Sequence, residues 1–550
     1  MRFLNLTAQL SLFTLASTRI IPPYTTCANE TTFPLLLEAT LDNLAAGLES
    51  QHFTSVDLVK AYSARILGVN STFHVVTELN PDALSIAAYA DDLRKNGTIL
   101  GPLHGIPILI KNNIATDDAM NNTAGSFALR GAKQGESTIA AKLRKAGAVI
   151  LGKTNLSQWA NFRSDNSTNG WSAYGGQTEG VYYPQQDPSG SSSGSGVASA
   201  LGLALGALGT ETSGSILSPA DVSNLVGIKP SVGLTSRHLV IPISEHQDTV
   251  GPMTRTVKDA AYILQAIAGP DPSDNYTSAI PNNGTIPDYV SACKLDALQG
   301  VRIGVARNVL EIYSDYLDAP VVEAFNQAVA EIESLGATIV DANFTGFEAY
   351  QSDSNGTLVL NADFLVNLKS YFSELTYNPN NITDLAQLTA FTHAFPAESY
   401  PDRDTGAWDG PNGALTQGWD NTDPRFWQAY QANLFYGAEG GILGALARTN
   451  TSAVLLPTQV SPGIPAIVGS PVITVPMGFY PANWTVTRNR RGSLVESGPG
   501  VPFGLSFMGD MWSERELVGF AYAYEQISMH RKEGKPYLLP GVELADVVEK

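Results

Sequence analysis

The chain has 550 residues, 43% of them hydrophobic and 15% charged, a globular composition with apolar material for a sizeable core. Its 33 Lys and Arg face 52 Asp and Glu, and the net charge of −19 argues against nucleic acid as a partner and against docking on anionic lipid. Seven histidines without an H-E-x-x-H motif, two cysteines and no G-x-x-x-x-G-K-[ST] loop point to no metal, nucleotide or other cofactor.

The chain begins MRFLNLTAQLSLFTLAS. Arg2 precedes a mostly apolar stretch with small residues at Ala16 and Ser17, the outline of a secretory signal over residues 1–20, although Asn5, Thr7, Gln9 and Ser11 interrupt it. No later window supplies the roughly 20 apolar residues of a membrane-spanning helix. A secreted protein without membrane contact after signal removal is expected. Sequons at Asn29, Asn70, Asn96, Asn275, Asn283, Asn343, Asn355, Asn381, Asn450 and Asn483 are glycosylation candidates and favour the same compartment. Further sequons stand at Asn121, Asn155 and Asn166, and Asn155 lies in a segment expected to be buried. Cys27 and Cys293 leave a single bridge open.

In GPLHGIPILIKNNI (101–114), Lys111 ends an apolar strand. Burial of that run would deprive the lysine of hydration and lower its pKa, making it a candidate base. Residues 137–146 read as a helix closed by Gly147, followed by the buried strand AVILGK (148–153). DPSGSSSGSG (187–196) reads as a backbone-rich loop able to approach a ligand closely. Ser192 there fits G-x-S-x-G, but VYYPQQDPS before it is not the hydrophobic strand that a nucleophile elbow requires. GALGTETSGSILSPA (206–220) reads as a small-residue helix entering a Gly/Ser/Thr turn that presents Ser215. Consecutive N–H groups of such a turn suit an oxyanion.

VRIGVA (301–306), a helix carrying Val322, Phe325, Val329 and Ile332, and ATIVDA (337–342) make a β-α-β unit with parallel strands. Residues 395–426, rich in Pro, Gly, Asp and Trp, read as a long irregular loop, a lid or substrate-facing wall. VITVPMGF (472–479) and PFGLSFMG (502–509) are further strands. Ser513 and Glu516 form a capping-box pattern for a helix through Gln526. This alternation predicts an α/β fold, with a mixed, largely parallel central sheet covered by helices.

Lys111 in GIPILIKNN, the Gly/Ser loop and GTETSGSI, followed by VGIKPSVGLTSR (226–237) and DTVGPMTRTVKDA (248–260), together resemble the amidase signature family. The resemblance spans residues 40–530 and is densest over 101–265; with GWSAYGGQT (170–178) it is most similar to the branch of peptide amidase and secreted fungal amidases. It implies one α/β/α layer domain over residues 35–540. It implies a serine amidohydrolase cleaving the C–N bond of a small-molecule or peptide amide through an acyl-enzyme, without cofactor. Ser215 would be the nucleophile, Ser191 the bridging cis-serine and Lys111 the base. The 24-residue interval between the two serines matches the spacing of the family, and by that resemblance Ser191 is chosen over Ser192 and Ser193. Thr212, Ser213 and Gly214, with Ser215, would supply oxyanion N–H groups. His104 matches a structural residue of the family. Two positions depart from the pattern: Ser213 stands where many members carry Gly, and Leu217 and Ser218 replace an Arg and an apolar residue, which removes an ion pair. A catalytically silent binding protein and an acyl transferase of a biosynthetic pathway are the alternative readings; the oligomeric state is left open.

Overall fold

A computed structural model describes residues 33–548; the segment 1–20 read as a secretory signal, Cys27 and Asn29 lie outside the described residues. Eleven strands form its large sheet. In chain order they are β1 (Val76–Leu79), β2 (Pro107–Lys111), β3 (Val149–Thr154), β4 (Gly206–Glu211), β5 (Val226–Lys229) and β6 (Thr249–Thr254). They continue as β7 (Arg302–Val305), β8 (Thr338–Asp341), β9 (Ala453–Pro457), β10 (Val472–Phe479) and β11 (Pro502–Met508). Across the sheet they lie in the order β1-β3-β2-β4-β6-β5-β10-β11-β9-β7-β8. The sheet is mixed, but its parallel contacts are confined to the flanks, β3-β2-β4 on one side and β9-β7-β8 on the other. The centre, β4-β6-β5-β10-β11-β9, is antiparallel, so the sheet is less parallel than the helix–strand alternation predicts.

The apolar runs explain which strands are internal. Every residue of β2, β3, β4, β5, β6, β9 and β11 is buried, as both faces are covered by helices. The helices that matter for the site are α1 (Ser55–Phe73), α2 (Thr138–Lys145), α3 (Ser193–Ala200), α4 (Val257–Ile267) and α5 (Ala319–Ser334). Further along are α6 (Asn355–Ser373), α7 (Pro424–Gly437) and α8 (Glu514–Ser528). α1 opens with a reciprocal cap between Thr54 and Asp57, which satisfies orphan N–H groups at its first turn. The unit β7-α5-β8 is parallel as predicted. Its helix turns Val321, Phe325, Ala328, Val329 and Ile332 inward, so Phe325, Val329 and Ile332 stand as read, while Val322 is 36% exposed and Val321 takes its place at the start of the core stripe.

Three further expectations are corrected. GALGTE (206–211) is β4, a strand, not a helix. It is six residues without a polar face, and its glycines let neighbours close in: a Cβ on Gly206 would stand 2.7 Å from Thr254 and one on Gly209 2.8 Å from Ser192 Oγ. The small-residue helix lies earlier, as α3, and takes over the second half of the Gly/Ser loop from Ser193. At the start of α8 Ser513 donates to Asp510 C=O at 2.7 Å, so its side chain does not cap the helix.

Residues 395–426 are not a free loop. They contain the short helical turns Pro396–Glu398, Gly406–Asp409 and Ala414–Gln417, and they bury Glu398 and Trp408 completely. Glu398 pairs with Arg163 at 2.9 Å and accepts from Ser126, Phe127 N–H and Gln158. Trp408 packs edge-on against Trp159.

Of the sequons, Asn96, Asn275, Asn283, Asn343, Asn381, Asn450 and Asn483 are exposed. Asn70 and Asn355 are half-buried, their amides donating to Val76 C=O and Asp353. Asn155 is completely buried.

Candidate active site

Parallel pairing brings the carboxyl ends of β3, β2 and β4 to one edge of the sheet, the edge at which open α/β folds place their ligand sites. β2 ends in Lys111. β4 ends in Glu211 and runs directly into the turn 212–215, while α3 starts immediately after Ser191 and Ser192. Three segments far apart in sequence therefore converge because of strand order.

Lys111 is completely buried. Its Nζ lies 2.7 Å from Ser191 Oγ, 3.0 Å from Ser192 Oγ, 2.9 Å from Thr210 Oγ1 and 3.2 Å from Thr210 C=O. An ammonium owns three N–H bonds and cannot donate to all four oxygens. A neutral amine uses two N–H bonds on this cage and keeps a lone pair that can accept from a hydroxyl. Burial lowers the Lys111 pKa to about 7, opposed in part by the carboxylates of Asp248 and Glu211. The cage is itself held: Asn113 donates to Thr210 Oγ1 at 3.0 Å, and Ser192 Oγ donates to Thr210 C=O at 3.1 Å.

Ser191 follows a cis peptide bond from Gly190. Ser215 is tied to the same cluster through the backbone, Ser192 N–H donating to its carbonyl at 3.1 Å. Gly214 turns the chain with φ +79°, where a Cβ would meet Ser218 Oγ at 2.9 Å. The turn is shaped from beneath by Glu211, which accepts the N–H groups of Gly214 (2.7 Å), Ile216 (2.7 Å) and Leu217 (2.9 Å). The Gly214 N–H is thus already committed to a carboxylate, and its expected place among the oxyanion donors is corrected for that reason. Thr212 is fixed from the side by Asp248, which accepts its hydroxyl at 2.6 Å, and by Gln247, which donates to its carbonyl at 3.3 Å.

Glu211 is fully buried. Burial raises its pKa, while Lys229 and the three N–H groups favour the charged form. The side chain of Leu217 is buried in an apolar cluster where the family pattern carries Arg, and the cation whose charge favours ionised Glu211 is Lys229, its Nζ donating to Ser470 C=O at 2.7 Å. Asp248 is pushed up to about 6 by burial, with Thr212, the N–H groups of Ile243 and Ser244 and the Arg237 charge opposing. Sequence reasoning singled out Lys111, Ser191 and Ser215 but not Thr210, Asn113, Glu211 or Asp248. Glu211 and Thr210 sit inside GTETSGSI and Asp248 opens DTVGPM, so the motifs carried the signal without the roles. Ser192, rejected as a nucleophile, is a second ligand of the lysine. His104 is buried, its Nε2 within 2.9 Å of Ala90 C=O, a structural placement.

A cleft of about 370 Å³ opens beside the turn, with Ser213, Gln247, Tyr313, Tyr350, Asp353 and Asn433 on its walls. No residue lining it comes from 395–426. The walls are supplied by segments around 350–360, 433 and 463–467 instead. Near Gln247, the side chains of Glu245, His246 and Asp363 lie within 4.8 Å of one another. Asp363 accepts from Ser244 (2.6 Å) and Asn421 (3.1 Å), and His246 Nδ1 is 2.8 Å away. This donor-rich surrounding describes a hydrogen-bonded carboxylate and assigns no metal.

A family profile described as Amidase matches residues 57–403. A protein of Arthroderma benhamiae named "Putative amidase" is 56% identical over 538 residues, covering 94% of this chain and 90% of its own. A protein of Arabidopsis thaliana named a probable amidase is 37% identical over 505 residues, 90% of this chain and 91% of its own. The X-ray structure of the native peptide amidase from Stenotrophomonas maltophilia superposes with a TM-score of 0.80 at 36% identity, over 91% of this chain and 99% of that one.

Proposed function

The chain belongs to the amidase signature family of hydrolases acting on C–N bonds, and from that premise we propose that it is a secreted serine amidohydrolase whose reaction runs through Ser215, Ser191 and Lys111. The observation that carries the reading is the 2.7 Å contact of a completely buried lysine with Ser191, at the sheet edge from which the Ser215 turn rises. A serine hydroxyl needs a positioned base to become a nucleophile. Lys111, neutral in a substantial fraction near pH 7, takes the Ser191 proton as Ser191 takes that of Ser215.

Ser215 Oγ then bonds to the amide carbon and the carbonyl oxygen becomes an oxyanion. Backbone N–H groups of Thr212, Ser213 and Ser215 receive it, with Gly214 excluded by its bond to Glu211. The C–N bond breaks as the proton held by Lys111 returns through Ser191 to the leaving nitrogen. Water, deprotonated by the same relay, cleaves the acyl ester and releases the acid.

The substrate is a small-molecule or peptide carboxamide. Similarity to a peptide amidase at 36% identity favours C-terminal amides of peptides. The leader-like N-terminal sequence and the exposed sequons support secretion. Treatment of the folded protein with a fluorophosphonate, followed by peptide mass mapping, tests the nucleophile. Modification of Ser215, absent in Ser215→Ala, is expected; no adduct on Ser215 between about pH 6 and 9 would overturn the assignment.

A further inference from the structure

The cleft beside Ser213 is not the largest hollow of the molecule. A second one, of about 600 Å³, has Leu37, Tyr182 and Pro476 on its apolar walls and Arg255, Lys532 and Lys535 on its basic side. Its position follows from strand pairing. β6 runs antiparallel to β4, with Thr254 opposite Gly206 and Thr249 opposite Glu211. Arg255, one residue beyond β6, therefore stands at the sheet edge away from the turn 212–215. α3 reaches both places: it starts beside the serines and ends at Ala200, on the wall of this second hollow.

The hollow has a surplus of positive charge, although the chain as a whole carries −19. Its two carboxylates are already engaged. Glu38 pairs with Arg531, and Glu525 accepts Val257 N–H at 2.9 Å and the Gln526 amide at 3.1 Å. Arg255, Lys532 and Lys535 form no salt bridge among the described residues. The Arg255 guanidinium, 2% exposed, donates to the carbonyls of Ser199, Ala204 and Ala39, and its Nε is buried without an acceptor among the described residues. A small inorganic anion would answer the cations and leave the apolar walls wet; a neutral hydrocarbon would do the reverse. The volume lies in the range of small-ligand sites, roughly 300–1,000 Å³. We propose that this cavity is a second ligand site, separate from the reaction site, which takes a soluble monocarboxylate with an apolar body.

Calorimetric titration of the full chain with decanoate tests this, with Ser215 first blocked by a fluorophosphonate. Saturable one-site binding is expected, together with no binding of decyltrimethylammonium, whose head group has the opposite charge. The double charge reversal Lys532→Glu/Lys535→Glu acts at exposed side chains. It should weaken decanoate on the order of tenfold or more while amide turnover of the unblocked variant is retained. Leu37→Trp, which enlarges a side chain on the wall of the hollow, should abolish binding. Absence of decanoate binding to the blocked wild-type chain, or equal affinity in wild type and the charge-reversed variant, would overturn the proposal.

Discussion

At the scale of single residues, the proposed chemistry turns on the charge state of Lys111. Its pKa stands near 7 because burial removes hydration from the ammonium, and only the neutral amine can accept a proton. Amide turnover, followed as kcat/KM against pH, is therefore expected to rise through an apparent pKa near 7 and to fall below it as Lys111 protonates. Lys111→Ala should reduce amide turnover by about 10²–10⁴-fold, the usual size of a general acid–base contribution. A matched ester should lose less, since an alcohol leaves without the returned proton; equal losses on the two substrates would count against the acid role. In the proposed reaction Glu211 is a positioning residue, holding the turn through the N–H groups of Gly214, Ile216 and Leu217. A glutamine in its place keeps one acceptor oxygen and presents an NH₂ to an N–H group. Glu211→Gln is expected to lower kcat by about 10²–10³, comparable to loss of an oxyanion donor, with KM little changed and Lys111→Ala-like selectivity absent. Lys111 and the turn motif were legible in the sequence because their residue types are unusual in those settings. The cage of Thr210, Ser192 and Asn113 was not, since hydroxyl and amide side chains become partners only when strands place them within 3 Å.

At the scale of elements, the segment 395–426 shows why composition alone misleads. Pro, Gly and Asp marked it as irregular, and its backbone is indeed a chain of short turns, yet Glu398 and Trp408 anchor it in the interior. The Arg163–Glu398 pair is 2% and 0% exposed. Removing one partner leaves an uncompensated buried charge, so Arg163→Ala should cost about 3–5 kcal/mol of stability, measured by denaturant unfolding. KM should stay near the wild-type value in the protein that folds, because this segment does not line the 370 Å³ cleft. The misread strand β4 carries the same lesson. GALGTE has the small residues of a tightly packed helix, and the decision for a strand comes from β2 and β6 on either side of it.

At the scale of the whole molecule, buried ionisable groups set the pH dependence of stability. Asp221 is fully buried beside Gly504 N–H, and burial pushes its pKa up to about 8. The unfolded carboxyl ionises near 4, so between about pH 4 and 8 the unfolded state binds fewer protons and this group's contribution falls as pH rises. Asp221→Asn retains an acceptor for Gly504 N–H and has no such titration. Its Tm relative to wild type is expected to be higher at pH 8.5 than at pH 5. Lys111 and Lys153, both lowered to about 7, act in the opposite sense between pH 7 and 10.5, where the unfolded lysines bind more protons. For the protein produced through a secretory pathway, glycopeptide mapping is expected to find sugar on exposed sequons such as Asn96, Asn275 and Asn483 and none on Asn155.

The sequence by itself determined the α/β class and the family and supplied the residues of the proposed reaction, because hydrophobic period, turn chemistry and the spacing from Lys111 to Ser215 are local or collinear properties. Only the tertiary structure decided that the sheet is antiparallel at its centre, that Gly214 N–H is spent on Glu211, which residues wall the cleft, and that a basic hollow lies at the far end of α3. Each of these depends on which strands become neighbours. Pairing between segments tens to hundreds of residues apart is settled by burial and by the satisfaction of backbone and buried polar groups across the whole core.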